Sequence, residues 1–202
     1  MNEKERIAKL KKIEASVLAL PDSFLAKERI KNKVFPVIGE GSSLATIMFI
    51  GEAPGKNEAA SGKPFCGTSG RILDELLGSV GIKRDDVYIT NIVKDRPPEN
   101  RDPTPEEIKQ YGPFLDKQIE IIQPKVIATL GRFSMEYIMK KFGLESEIVV
   151  ISKAHGKVWK GKTGYGSVTI IPLYHPAASI YNQKLKQTLR EDFKIMKEYA
   201  NN

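Results

Sequence analysis

The sequence is poor in sulfur and has no long apolar run. Cys66 is the single cysteine among 202 residues, which excludes an internal disulfide and any metal site made of cysteines alone. No base stands beside it in the sequence, so we predict a small buried side chain rather than a nucleophile. The longest apolar stretches, such as residues 47–50 and 148–151, are far shorter than the roughly 20 residues of a membrane-spanning helix. Residues 1–12 lack the apolar centre of a signal peptide, and we expect a cytoplasmic protein with no membrane partner.

Positive charge exceeds negative charge along the chain. Lysine and arginine together number 32 against 25 aspartate and glutamate residues, which gives a net charge of +7 and a pI near 9.3. A basic surface attracts phosphate backbones, so a nucleic acid is a reasonable partner. Many basic proteins bind no nucleic acid, and the charge alone leaves the question open.

Apolar runs that suit buried strands alternate with helical patterns. The expected strands cover residues 45–50, 87–93 and 126–130, with shorter candidates at 149–151, 157–159 and 168–172. Helical patterns cover most of the first 30 residues, with an interruption at Pro21, and then 69–81, 104–123, 133–142 and 183–199. Thr104, followed by Pro105 and two acids, is the clearest helix start. We predict an α/β fold, with residues 1–202 as a single domain: a three-layer α/β/α sandwich around a central, mostly parallel four-stranded sheet.

Three unusual segments follow predicted strands, at residues 51–58, 91–101 and 174–182. An open parallel sheet binds its ligands beyond the carboxyl ends of its strands, so these segments are expected to converge. Glu52 directly follows the first strand, and Asn91 offers a donor and an acceptor side by side at the end of the second. His175 follows the last strand. Each residue alone has an ordinary structural explanation, and their convergence is what predicts a site.

Five motifs in order carry a resemblance to a known family. They are GEAPGKNE (51–58), GKPFCGTSGRIL (62–73), YITNIVKDRPPENRDPTPEE (88–107), IIQPKVIATLGRF (121–133) and YHPAAS (174–179). Over about residues 35–195 the chain resembles the uracil-DNA glycosylase superfamily, and most closely its thermostable family-four enzymes of bacteria and archaea. The resemblance implies a DNA-repair enzyme that flips uracil out of DNA and hydrolyses its glycosidic bond. Such an enzyme leaves an abasic site, and we expect this chain to need neither metal nor cofactor.

The resemblance also implies roles for individual residues. Glu52 is expected to position water or stabilise the sugar cation, and His175 to donate to uracil O2 as the base leaves. Phe65 is expected to stack on the flipped base, Asn91 to contact the uracil edge, and Ala53 to line the substrate site. The residues implied in DNA binding form one loop, with Ile180 or Tyr181 as the wedge: Pro176, Ala177, Ser179, Ile180 and Tyr181.

The match fails where most family-four enzymes hold a [4Fe–4S] cluster on four cysteines. Asp95 and Tyr111 stand where two of those cysteines are expected, and residues 14–18 occupy about the region of the N-terminal pair. We therefore predict a cluster-free enzyme in which another device holds the loop at residues 96–103.

Base specificity stays open at this point, because Lys56 and Asn57 stand where relatives commonly carry acids. One alternative is a glycosylase for another deaminated base, hypoxanthine or xanthine. A second is a DNA-damage binding module without catalysis, although pure binding would not need Glu52, Asn91 and His175 together. We expect uracil-containing DNA as the partner and a monomeric enzyme.

Overall fold

A computed structural model describes residues 1–20 and 22–200, so the predicted interruption at Pro21 lies outside the described residues. The strands are β1 (Glu40–Gly41), β2 (Ile47–Gly51), β3 (Tyr88–Asn91), β4 (Val126–Leu130), β5 (Trp159–Thr163) and β6 (Gly166–Leu173). The helices are α1 (Glu3–Leu18), α2 (Phe24–Asn32), α3 (Lys56–Ser61), α4 (Thr68–Ser79), α5 (Pro105–Ile122), α6 (Arg132–Lys141), α7 (Ile151–Ala154), α8 (Gln183–Phe193) and α9 (Lys197–Ala200). In the described part of the chain, none of them is long and apolar enough to cross a membrane.

The strands form one mixed sheet in the order β1-β3-β2-β4-β6-β5. Strands β3, β2, β4 and β6 pair in parallel, whereas β1 and β5 add antiparallel edges. The prediction of a four-stranded sheet is therefore wrong in strand number. Neither edge strand carries a long apolar run, because β1 has only two residues and β5 reads WKGKT. The short candidate at residues 157–159 overlaps β5 only at Trp159.

The strand expected at residues 149–151 is also wrong. Ile151 begins the single helical turn α7, and the preceding Val149 and Val150 are exposed. An apolar run of four residues fits a buried strand or a helix start equally well by periodicity. Here the chain is not paired into the sheet, so the local pattern gave the wrong answer.

Alternate residues of β2 face opposite sides of the sheet, as the two-residue period of a strand requires. Ile47 and Phe49 belong to one buried cluster, which includes apolar residues of α4 and α8. Met48 and Ile50 belong to a second cluster with residues of α1, α5 and α6. Helices therefore cover both faces of the sheet.

Helix α5 begins where the sequence predicted. The hydroxyl of Thr104 accepts a hydrogen bond from the backbone of Glu107, and the Glu107 carboxylate accepts one from the backbone of Thr104. This reciprocal capping box fixes the first turn of the helix. It also fixes the end of the long loop that follows β3, which matters for the site.

Candidate active site

A pocket of about 440 Å³ opens at the carboxyl ends of the parallel strands, within the usual size range of ligand pockets. The residues that line it come from the segments after β2, β3 and β6 and from the turn before α4: Glu52, Ala53, Pro54, Gly55, Glu58, Phe65, Ser69, Asn91, Pro97, Asn100, Arg101, Asp102, His175 and Ala177. The fold thus brings Glu52, Ala53, Phe65, Asn91 and His175 together, although they span more than half of the sequence.

Glu52 is the first residue beyond β2, and its backbone is held in place by the segment that follows β3. Its carbonyl accepts a hydrogen bond from the Val93 backbone. Burial and, to a smaller extent, the Asp102 carboxylate raise the pKa of its carboxyl group, the Arg132 guanidinium lowers it, and the net result is a pKa of about 7. A carboxyl group with this pKa gains its negative charge close to neutral pH.

Asn91 ends β3 with its side chain in the pocket wall and is only 2% exposed. Its Oδ1 atom is buried and has no hydrogen-bond partner among the described residues; we call this atom the open acceptor. A buried carbonyl without a donor costs about 1–3 kcal/mol, a cost that a ligand N–H group at this position would remove. The pocket is thus prepared for a ligand that donates a hydrogen bond.

Gly51 explains how the open acceptor and an aromatic ring come so close. A Cβ atom on Gly51 would lie 2.3 Å from the Asn91 Oδ1 atom and 2.7 Å from the Phe65 ring. Phe65 has a positive φ of 47°, which is uncommon for a residue with a side chain. Gly70 permits this backbone, since a Cβ there would lie 1.8 Å from the Phe65 carbonyl oxygen.

His175 completes the pocket opposite the Phe65 ring, with 5.6 Å between the ring centroids. Its Nδ1 atom accepts a hydrogen bond from the Ala177 backbone at 3.1 Å. Burial lowers the pKa of His175 to about 4, an effect that the Glu58 carboxylate opposes. At neutral pH the imidazole is therefore neutral, and because Nδ1 is an acceptor, the proton lies on Nε2 and is available to a ligand.

Comparison with known proteins assigns the family. The sequence profile described as Uracil DNA glycosylase superfamily matches residues 38–197. The chain is 46% identical over 168 residues to a Type-4 uracil-DNA glycosylase of Archaeoglobus fulgidus, which covers 83% of both chains. It is 49% identical to one of Sulfurisphaera tokodaii, over 81% of this chain and 74% of that protein, and 40% identical to one of Thermotoga maritima, over 83% and 84%. The chain belongs to the uracil-DNA glycosylase superfamily. The resemblance inferred from the five motifs is confirmed.

Glu58 connects two of the motifs in this superfamily member. Its Oε1 atom accepts hydrogen bonds from the Cys66 and Gly67 backbones, both at 3.0 Å. The carboxylate thus joins α3 to the segment that carries Phe65. Cys66 itself is exposed, so the prediction of a buried cysteine is wrong. In this turn it is the Phe65 ring that occupies the interior.

Sequence reasoning marked the loop after β3 but missed which of its residues form the pocket of this glycosylase-superfamily chain. The residues missed there are Pro97, Asn100, Arg101 and Asp102. Arg101 makes a two-pronged ion pair with Glu107, with distances of 2.8 and 2.6 Å. Asp102 pairs with Arg132 of α6 at 2.6 Å. The sequence did carry a signal for these residues, a cluster of charged side chains in a proline-rich loop that follows a strand.

The loop implied in DNA binding folds as a short 3₁₀ helix, Pro176–Ser179. Pro176 and Ser179 are buried, and the Ser179 hydroxyl donates a hydrogen bond to the Pro176 carbonyl at 2.8 Å. Ala177 lines the pocket. Ile180 packs against the core, and Tyr181 is 98% exposed. Of the two residues considered as a wedge, Tyr181 is the one that faces solvent.

Proposed function

We propose that this chain, acting as a single domain, excises uracil from DNA. It flips the nucleotide into the pocket, hydrolyses the N-glycosidic bond and leaves an abasic site without cutting the strand. The observation that carries the proposal is the open acceptor of Asn91 beside the Phe65 ring. The relatives that share the motifs are named uracil-DNA glycosylases, which supports the same substrate.

Recognition follows from the donors and acceptors of the base. The open acceptor accepts a hydrogen bond from uracil N3–H, and the amide nitrogen of Asn91 donates to O4. Cytosine has a lone pair at N3 and would leave that acceptor unpaired. The Phe65 ring offers a stacking surface that offsets the stacking lost when the base leaves the duplex.

Catalysis follows from charge separation as the bond breaks. The sugar becomes cation-like and the base becomes anionic. An ionised Glu52 stabilises the sugar or orients the attacking water, and His175 donates from Nε2 to uracil O2. A preorganised group of this kind typically contributes about 10²–10³-fold to the rate. A neutral histidine can fill this role because Nδ1 accepts from the Ala177 backbone and the remaining proton lies on Nε2.

DNA contact is assigned to the loop that begins at Pro176 and to the helix that follows. Tyr181 is placed to wedge into the gap left by the flipped base, as exposed apolar side chains do in other DNA complexes. Lys184 on α8 is exposed close by and would meet a phosphate. One chain supplies every residue used here, so a monomer suffices for the proposed reaction.

Lys56 and Asn57, which left base specificity open in the sequence, are exposed and lie outside the pocket lining. Their difference from relatives therefore gives no support to a changed base preference. The binding-module alternative is also less favoured. Burial of Glu52 raises its pKa, and a protein that only binds DNA gains nothing from a desolvated carboxyl group near the base.

The test is an excision assay with oligonucleotides that contain uracil, hypoxanthine or xanthine, in EDTA. Alkali is added afterwards to break the strand at abasic sites. We expect strand breakage only after alkali and only with uracil. Breakage with hypoxanthine or xanthine alone would support the other base specificity. Intact strands in every case would support the binding module and reject the proposed function.

A further inference from the structure

Four polar side chains are buried together behind the pocket loop. The Tyr111 hydroxyl donates to Oδ2 of Asp95 at 2.6 Å, and it lies 2.9 Å from the Ser23 hydroxyl. Arg29 Nη1 lies 3.4 Å from Oδ1 of Asp95. None of the four residues is more than 5% exposed. We call Ser23, Arg29, Asp95 and Tyr111 the Arg29 network.

The network also reaches the end of α1. Arg29 donates to the backbone carbonyls of Val17 and Leu18, at 3.4 and 3.3 Å. Those carbonyls lie in the last turn of α1, where a helix leaves its carbonyl groups without partners and carries partial negative charge. One guanidinium therefore joins the end of α1 to the chain that leaves β3, and Tyr111 extends the connection to α5.

Stability alone does not explain a buried network of this kind, because removing its charged groups from water costs free energy. Burial raises the pKa of Asp95, while Tyr111 and Arg29 lower it, so the carboxylate depends on both partners for its charge. Well-packed apolar side chains usually stabilise a core at least as well as a buried ion pair. The network instead orients the chain at Asp95, because Tyr111 and Arg29 hold the two oxygens of its carboxylate.

The positions of these residues match the departure from the family pattern. Asp95, Tyr111 and residues 14–18 stand where the cysteines of an iron–sulfur cluster were expected. Here they supply a carboxylate, a phenol and backbone carbonyls around a guanidinium, which has no lone pair for a metal. The single cysteine, Cys66, is exposed and belongs to the turn before α4. The residues present do not fit such a cluster.

We propose that the Arg29 network takes the place of the cluster and anchors the start of the loop at residues 96–103. The loop's far end is held by the capping box at Thr104 and by the Arg101–Glu107 pair. Between these ends, Glu99 and Asn100 have positive φ values of 55° and 56°, a conformation that surrounding structure must hold in place. The loop forms one wall of the pocket, so its effect on catalysis rests on the proposed function.

The test compares Tyr111→Phe with Tyr137→Phe. Tyr137 is a matched control because its hydroxyl also bonds a carboxylate, Asp116 at 3.1 Å, but it lies between α5 and α6. Hydrogen exchange is measured at the non-proline amides of residues 96–102. We expect about tenfold faster exchange there in Tyr111→Phe, with wild-type rates in Tyr137→Phe. Unchanged loop exchange in Tyr111→Phe, or equal acceleration in the control, would overturn the proposal. If Tyr111→Phe does not fold, Ser23→Ala is measured in the same way.

Two further readouts separate positioning from general stability. Well below the unfolding temperature, Tyr111→Phe should raise KM for a uracil oligonucleotide about tenfold and change kcat less than about threefold, as loss of a binding wall would. An unchanged KM would contradict the anchoring role. Iron and acid-labile sulfide in wild-type protein purified without oxygen should stay at background, and stoichiometric amounts would reject the replacement. If wild-type protein excised no uracil, the proposed function would fail, while hydrogen exchange would still test the anchor.

Discussion

The pocket and the Arg29 network both include the chain at the end of β3, through Asn91 and Asp95, yet their buried polar atoms are open in one and paired in the other. In the network, the hydroxyl, carboxylate and guanidinium groups bond one another. In the pocket, the Asn91 Oδ1 atom has no such bond, the Phe65 backbone has an uncommon φ, and the Glu52 pKa is raised to about 7. The paired groups of the network hold elements of the fold together, whereas the open acceptor in the pocket is a group that a ligand can complete.

Asn91 itself combines a paired polar group with an open one. Its backbone carbonyl accepts a hydrogen bond from the buried Lys94 Nζ at 2.6 Å, and Lys94 also donates to Thr90 and Gln118. The backbone of Asn91 is thus fixed while its side-chain oxygen stays open. Within residues 1–20 and 22–200, three other buried polar atoms lack partners, on Arg6, Ser43 and Thr129. None of the three lines the pocket that holds Asn91, although Ser43 lines a second cavity. An open atom therefore identifies the site only together with the catalytic groups around it.

The largest expected effect is on catalysis at Glu52. Glu52→Gln keeps the shape of the side chain but removes its charge, so single-turnover uracil excision should fall about 10²–10³-fold. DNA binding, measured by fluorescence anisotropy, should change little. Glu106→Gln, an exposed acid in the first turn of α5, is the control and should keep full activity. Full activity of Glu52→Gln would show that the assigned carboxylate is the wrong one.

A smaller loss of activity is expected at Asn91, with a distinctive effect on stability. Asn91→Ala should lower uracil excision about 10²-fold, because a buried polar contact to the substrate is lost. Its free energy of unfolding should change by less than about 1 kcal/mol, since the carboxamide oxygen that is removed leaves no unpaired donor behind. Excision rates check the effect on activity, and urea unfolding checks the effect on stability. A large loss of stability would mean that the open acceptor is bonded in solution.

The network predicts the opposite pattern. Tyr111→Phe should lower the free energy of unfolding by about 1–3 kcal/mol, because it leaves the buried Asp95 and Ser23 without a shared partner. Urea unfolding measures this directly against Asn91→Ala. Equal stability effects in the two variants would remove the distinction between an architectural region and an open one.

The smallest expected effect is a shift in pH dependence. The wild-type rate should rise with pH through about 7, as Glu52 loses its proton, while His175, with a pKa of about 4, stays neutral. Asp102→Asn removes a negative neighbour, so it should move the midpoint to lower pH. Arg132→Gln removes a positive neighbour and should move it to higher pH. Single-turnover rates across pH check both directions, and shifts of the reverse sign would reject these charges as neighbours of Glu52.

The sequence predicted what depends on local pattern. The apolar runs that became β2 and β4, the helix start at Thr104 and the convergence of Glu52, Asn91 and His175 all follow from spacing and strand ends. Contacts between distant residues could not be predicted from the sequence, because no pattern in it pairs Ser23 with Tyr111, 88 positions away. The exposure of Cys66 was missed for a related reason, since the pattern of residues does not reveal the positive φ of the preceding Phe65.

The central claim is that the pocket removes uracil from DNA without a metal or other cofactor. Single-turnover incubation of wild-type protein with a uracil-containing duplex in EDTA, followed by alkali, tests it most directly. The account predicts abasic sites at the uracil position and no strand break before alkali. A uracil strand that stays intact, under conditions where the protein is folded and binds the DNA, would contradict it.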